Sequence, residues 1–330
     1  MKNELKKNLT YNKTMLTLSI LCIVFGLSTL LITEIAVPIT AAFLSAVFLF
    51  EKEGKRRFSY AVSIALVIIN GLMFFIPNHP STFFSLMVIP FALIMYRAYL
   101  KGTEKAEAAF AMTAVGALVI VLTLIAAPMI AYAKFDFDVV VAFYKELYAL
   151  LREELVLAIN ETLASIPAQN SPLMIDISKI DALLKQQINM LISYVIIFAF
   201  LLVGAAFKCF SLIVSRCIDN VKEIFLWRFK TSNVFAYFYF ILAIATFFIT
   251  SADSVFSITV LNLYNVLMLV YCYVGFNVAV AYLSKGRRPV LAFIIVLLAI
   301  AFFFIYAIEL LAAIGAFFTI RANNRTITKE

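Results

Sequence analysis

From Ala109 to Ala133 the chain runs 25 residues without a charged side chain. A bilayer core is about 30 Å thick, so about 20 consecutive apolar residues make one spanning helix. Runs of this kind recur at 15–33, 35–50, 58–76, 81–100, 190–214, 233–251, 255–283 and 290–318. A backbone in lipid must satisfy its own hydrogen bonds, and uninterrupted Leu, Ile, Phe and Val at this length give helices, not barrel strands. The fold class expected is therefore all-α, a polytopic transmembrane helical bundle of about nine spans. Eight is the alternative, because Glu34 leaves almost no turn between the first two runs and the last run is long enough for one tilted span plus an interfacial helix. Hydrophobic residues make up 64% of the 330 and charged ones 14%, which excludes a soluble globular enzyme and a disordered chain.

The charges orient the bundle. With the N-terminus inside, Lys and Arg divide 19 inside to 8 outside and acids 7 inside to 12 outside, so the net charge of +8 is an orientation signal and not a nucleic-acid footprint. Lys2, Lys6, Lys7 and Lys13 precede the first run without a small-residue cleavage site, which reads as a topology signal and not as a removed leader. The expected location is the plasma (inner) membrane, multi-pass, with a cytoplasmic N-terminus. Nine spans place Arg321, Arg325 and Lys329 outside, against the positive-inside rule; an even number repairs this.

Residues 134–189 are the one long polar stretch, and they divide an N-terminal membrane bundle (1–133) from a C-terminal one with a short tail (190–330). Val140, Tyr144, Leu147, Leu151 and Leu155 recur at helical spacing with Lys145, Glu146, Arg152 and Glu153 opposite, which predicts an amphipathic helix over about 138–164. After the turn Pro167 to Pro172, Ser178 and Asp181 form a capping-box-like start for a helix feeding 190–214. The expectation is an extracytoplasmic helical hairpin that packs on the span ends or headgroups; a lid over a binding site is the alternative.

Chemistry-bearing motifs are scarce. His79 is the only histidine and lies in the turn Pro77-Asn78-His79-Pro80; Cys22, Cys209, Cys217 and Cys272 show no metal spacing; no phosphate-binding glycine loop occurs. No catalytic residues, metal site or cofactor are expected, and no enzyme. Ionisable residues touching the runs are Glu34 in an outer turn, Arg97 and Lys208 near inner ends, and Glu309, which 19 residues into its run reaches the outer boundary. Neutral amides are the better signal. Asn262, Asn265, Tyr273 and Asn277 fall within about 120° of one another at helical spacing, and Asn70 is a further isolated amide. They form either interhelical hydrogen bonds or a polar pocket for a small organic solute. In the inner loop 215–232, Trp227 and Arg228 are an interfacial anchor or a docking surface for a partner. Ser19, Cys22 and Gly26 put small residues along one face of the first run.

The layout, with Phe225-Leu226-Trp227-Arg228 before a span, Asn262-Leu263, Tyr273-x-Gly275-Phe276, Leu310-Leu311 and Gly315, resembles the YybS-like family of bacterial integral membrane proteins, a family of unknown function. Such proteins look distantly like the substrate-binding S-components of energy-coupling-factor transporters. That implies a subunit without its own ATPase, which borrows one through small residues on an early helix. Two functions are expected of this membrane protein: a structural or regulatory protein that binds other proteins through 215–232 or 134–189, to which the weak intramembrane chemistry points, or a substrate-binding membrane subunit of a transport system for a small organic solute. The lipid bilayer is the partner common to both.

Overall fold

The computed structural model describes residues 2–29, 32–51, 57–73, 80–101, 103–164, 177–217, 231–249, 254–283 and 289–327. Every regular element among them is helical: α1 (Lys2–Ser28), α2 (Thr33–Phe50), α3 (Arg57–Met73), a 3₁₀ segment (Pro80–Met87) running into α4 (Val88–Lys101), α5 (Lys105–Ala131), α6 (Phe137–Ala164), α7 (Ile177–Asn189), α8 (Leu191–Cys217), α9 (Asn233–Thr246), α10 (Val255–Leu283) and α11 (Pro289–Ile327). Six stretches are long and apolar enough to cross a membrane: Thr33–Phe50, Phe83–Lys101, Lys105–Ala131, Leu191–Val214, Val255–Val280 and Tyr306–Asn324. Lys13–Ser28, Arg57–Gly71 and Asn233–Thr246 are shorter apolar helices. The protein is a membrane-embedded helical bundle.

Local chemistry sets the helix ends. Buried Glu51 accepts the backbone N–H groups of Phe58 and Ser59, each at 2.8 Å, and the Ser59 hydroxyl, so a carboxylate caps the start of α3 from the preceding helix. At the end of α5, Lys134 N–H reaches Met129 O (2.9 Å) and Ala133 N–H reaches Ile130 O (3.0 Å), with Ala133 at φ 50°, the left-handed residue such a paired terminus requires. Buried threonines in the spans bond back to their own helices: Thr40 to Ala36 O, Thr113 to Ala109 O and Thr123 to Val119 O, at 2.7–2.8 Å.

Packing forms two groups. Leu44, Val47, Phe91, Met95, Met112 and Phe210 are fully buried and join α2, α4, α5 and α8. Ala236, Tyr239, Leu267, Tyr271, Ala312 and Ala316 join α9, α10 and α11. Chain order places α8 with the last spans, but its apolar face packs in the first group. The small face of α1 is also used internally. Cys22 is buried with its Sγ 3.7 Å from Thr40 O, and a Cβ on Gly26 would run into Leu66, so this face packs on α2 and α3.

Contacts between helices fix their directions. Gly116 meets Ala199, and Lys105 Nζ lies 5.4 Å from the Phe207 ring centroid, so α5 and α8 are antiparallel. Ser193 and Phe200 on α8 meet Asn262 and Tyr273 on α10, so these two are parallel. Phe235 near the start of α9 packs on Phe110 near the start of α5 (6.5 Å). Phe48 with Tyr96 and Tyr99 with Phe210 add the ends of α2 and α4 to this side, which also carries Arg57, Arg97, Lys101, Lys105 and Lys208. We call it the basic side.

The end of α11 also lies here. Asn323 Nδ2 donates to Thr231 O (2.9 Å) and Asn233 Oδ1 (3.0 Å), and Asn233 donates to Asn324 (3.0 Å). With Gly315 seated on Gly275, the last part of α11 runs in the same direction as α10. α11 itself is one uninterrupted helix of 39 residues.

Candidate functional site

Each amide singled out from the sequence has a defined place. Asn262 stands at the one-residue break between α7 and α8. Its Oδ1 accepts Ser193 N–H (2.9 Å), and its Nδ2 donates to Asn189 O (2.8 Å) and Ile258 O (2.9 Å). One carboxamide thus serves a freed donor and a freed acceptor of the broken helix. Asn265, one turn on, donates to Met190 Sδ at 3.1 Å. Tyr273 lies edge-on to Phe200 (6.1 Å, 87°). These three line the crease between α8 and α10. Asn277 is exposed and donates to Tyr273 O of its own helix (2.7 Å), so it does not face into the crease. Asn70 is buried on α3 and donates to Ser85 O (3.4 Å) in the 3₁₀ segment, with no contact to the others. Trp227 and Arg228 lie outside the described residues, as do Ser251, Asp253, His79 and the turn Pro167 to Pro172.

Residues 134–189 carry two of the expected helices. Tyr144 Oη donates to Leu124 O (2.7 Å), tying α6 to the far end of α5, and burial pushes this phenol above its ordinary pKa. Arg152 holds Asp181 with two bonds, Nε–Oδ1 2.6 Å and Nη2–Oδ2 3.2 Å, which joins α6 to α7. The hydrogen bonds from Arg152 keep the Asp181 carboxyl below its ordinary value and raise the guanidinium above its own. Asp181 thus serves a neighbouring helix, and the side chain of Ser178, its companion in the capping box read from the sequence, lies outside the described residues. Asp136 is likewise held low, first by the Asp138 N–H and then by Lys134 at 3.3 Å. Along α6, Leu147, Leu150, Leu151 and Leu157 remain exposed, Leu157 by 55%.

A second cluster was not read from the sequence. Tyr239 of α9 lies 5.9 Å from Tyr264, nearly coplanar at 10°, and 5.5 Å from Tyr271, both on α10. Tyr264 and Tyr271 are seven residues apart, two helical turns, which is the signal that could have linked them. Glu309 is exposed on α11, six residues before the Gly315 that packs against Gly275 of α10.

Among the described residues no group of three or more His, Cys, Asp or Glu gathers to hold a metal ion. No family model, curated protein or solved structure matches the chain.

Proposed function

We propose that this is a non-catalytic, multi-pass protein of the plasma membrane that binds other membrane proteins through the α6–α7 element. The observation that carries the reading is the exposed leucine row of α6 on a helix clamped at two points, Tyr144 to Leu124 and Arg152 to Asp181. A clamped amphipathic helix presents an apolar face without a large ordering penalty on binding. In this reading α6 and α7 form the extracytoplasmic hairpin and the basic side faces the cytoplasm. The end of α11 on the basic side supports an even number of crossings, with Arg321 among the inner charges. A photo-crosslinking residue at Leu147 or Leu150, introduced in cells, should give one discrete protein adduct. Lipid adducts alone would exclude this surface as a docking site.

A second reading, a substrate-binding membrane subunit of a transport system with a borrowed ATPase, draws on the resemblance to the YybS-like family and on Asn265, whose half-buried amide faces a thioether in the α8–α10 crease. A stoichiometric small molecule copurifying with the wild type and lost from Asn265→Leu would favour it. The internal packing of Cys22 and Gly26 removes that face of α1 as the ATPase contact.

A further inference from the structure

We propose that Lys105 of α5 and Lys208 of α8 hold the phosphate of an anionic phospholipid whose acyl chain lies along the lipid-facing side of α8.

Three observations carry it. The first is a juxtaposition across two helices. Lys105 Nζ stands 5.4 Å from the centroid of the buried Phe207 ring, and Lys208 is the next residue on α8. Two ammonium groups, each on a flexible four-carbon stem, are thereby within reach of one phosphate. The second is the counter-charge. The ion pairs among the described residues are Lys134–Asp136 and Arg152–Asp181, and neither Lys105 nor Lys208 belongs to one. Glu104 and Glu107 are the acids nearest to Lys105 in sequence. Glu104 precedes the first turn of α5, and Glu107, two residues on from Lys105, falls on another face of the helix. The third is the setting of Lys208. It lies six residues before the end of the apolar stretch Leu191–Val214, about 9 Å along the helix, and is itself exposed. Leu201 and Leu212, 54% and 47% exposed, share its side of α8, which therefore meets acyl chains. One turn deeper, Gly204 has open space beside it: no described atom lies within 4 Å of the place its Cβ would take.

The long lysine stem lets the charge of Lys208 rise along the lipid to headgroup level. The ring contact positions Lys105 but leaves its charge uncompensated. Two neighbouring cations repel each other, and an anion between them turns that repulsion into attraction, more strongly at the membrane edge than in water. A free phosphate would have to leave water and pass between apolar side chains to reach Lys208. A phospholipid already carries its phosphate at the bilayer surface and its acyl chain in the apolar zone, where Gly204 leaves room. A zwitterionic headgroup brings its own cation to a place that holds two, so the ligand class is a phospholipid of net negative charge. The site lies on the basic side, apart from the leucine row of α6, and stands whether or not that row docks a protein.

The test uses the full chain in nanodiscs of phosphatidylglycerol and phosphatidylcholine in equal parts with identical acyl chains. Native mass spectrometry counts the lipid retained per chain for wild type, Lys105→Gln, Lys208→Gln, the double variant, Gly204→Leu and Arg57→Gln. The last removes a base elsewhere on the basic side. The expected result is one phosphatidylglycerol retained per wild-type chain, with phosphatidylcholine at background. Retention should fall about fivefold in each lysine variant and about thirtyfold in the double variant. It should fall severalfold in Gly204→Leu, whose side chain fills the open space, and stay unchanged in Arg57→Gln. Equal retention of the two lipids, no retained lipid, unchanged retention in Lys208→Gln, or an equal loss in Arg57→Gln would each overturn the proposal. Displacement of the phosphatidylglycerol by millimolar inorganic phosphate would also overturn it, because the site would then take the free anion. Unaltered size-exclusion profiles separate loss of the site from loss of the fold.

Discussion

Gly275 and Gly315 bring the backbones of α10 and α11 into direct contact: a Cβ added to either would overlap a main-chain carbonyl of the other helix, that of Leu311 or of Tyr271. Close approach at small residues is the main means by which helices gain packing energy in lipid, where no hydrophobic force separates them from solvent. Gly275→Ala should destabilise the protein by about 1–3 kcal/mol through overpacking. Gly315→Ala should do the same, and the double variant should fall short of the sum because both relieve one contact. Thermal unfolding in detergent measures all three.

Asn262→Leu should lower stability by about 1–3 kcal/mol, because Ser193 N–H and Asn189 O lose their partner in a dry crease. Hydrogen exchange should rise first at the α7–α8 break. An unaltered exchange rate there would show that water replaces the carboxamide.

Glu51→Ala should accelerate exchange of the Phe58 and Ser59 amides and destabilise by about 1–2 kcal/mol, the range of a lost helix cap. Glu51→Gln retains one acceptor oxygen and should fall between.

Ala133→Gly should stabilise by about 0.5–1 kcal/mol, since the left-handed conformation strains an alanine more than glycine's extra chain entropy costs. Reduced stability in thermal unfolding would mean that Ala133 is not left-handed.

The α6–α7 clasp should be pH-sensitive. Arg152 holds the folded Asp181 carboxyl below its ordinary value of 3.8, so the clasp's contribution is complete above that value. It is lost as pH falls through the depressed folded value. Proteolysis at α7 should therefore quicken only on strong acidification. Asp181→Asn should be cut equally fast at neutral and acid pH, and since Asp136 is also held low, it serves as the internal control for general acid effects.

The amino-acid order by itself determined the solvent and the secondary structure. Uncharged runs such as 109–133 and 255–283 must be helices in lipid, because only a helix satisfies every backbone group within one segment. The period of Val140, Tyr144, Leu147 and Leu151 likewise marked α6, observed as Phe137–Ala164. What the amides do was decided by tertiary structure. Asn262 and Asn277 share one face in sequence, yet one bonds across to α8 and the other, exposed, bonds to its own helix. The packing of α11 was also settled only in three dimensions. Local periodicity records which side of a helix is apolar but not which helix it meets, and that is fixed by the contacts of Gly275 with Gly315 and of Thr231 with Asn323, residues 40 and 92 positions apart.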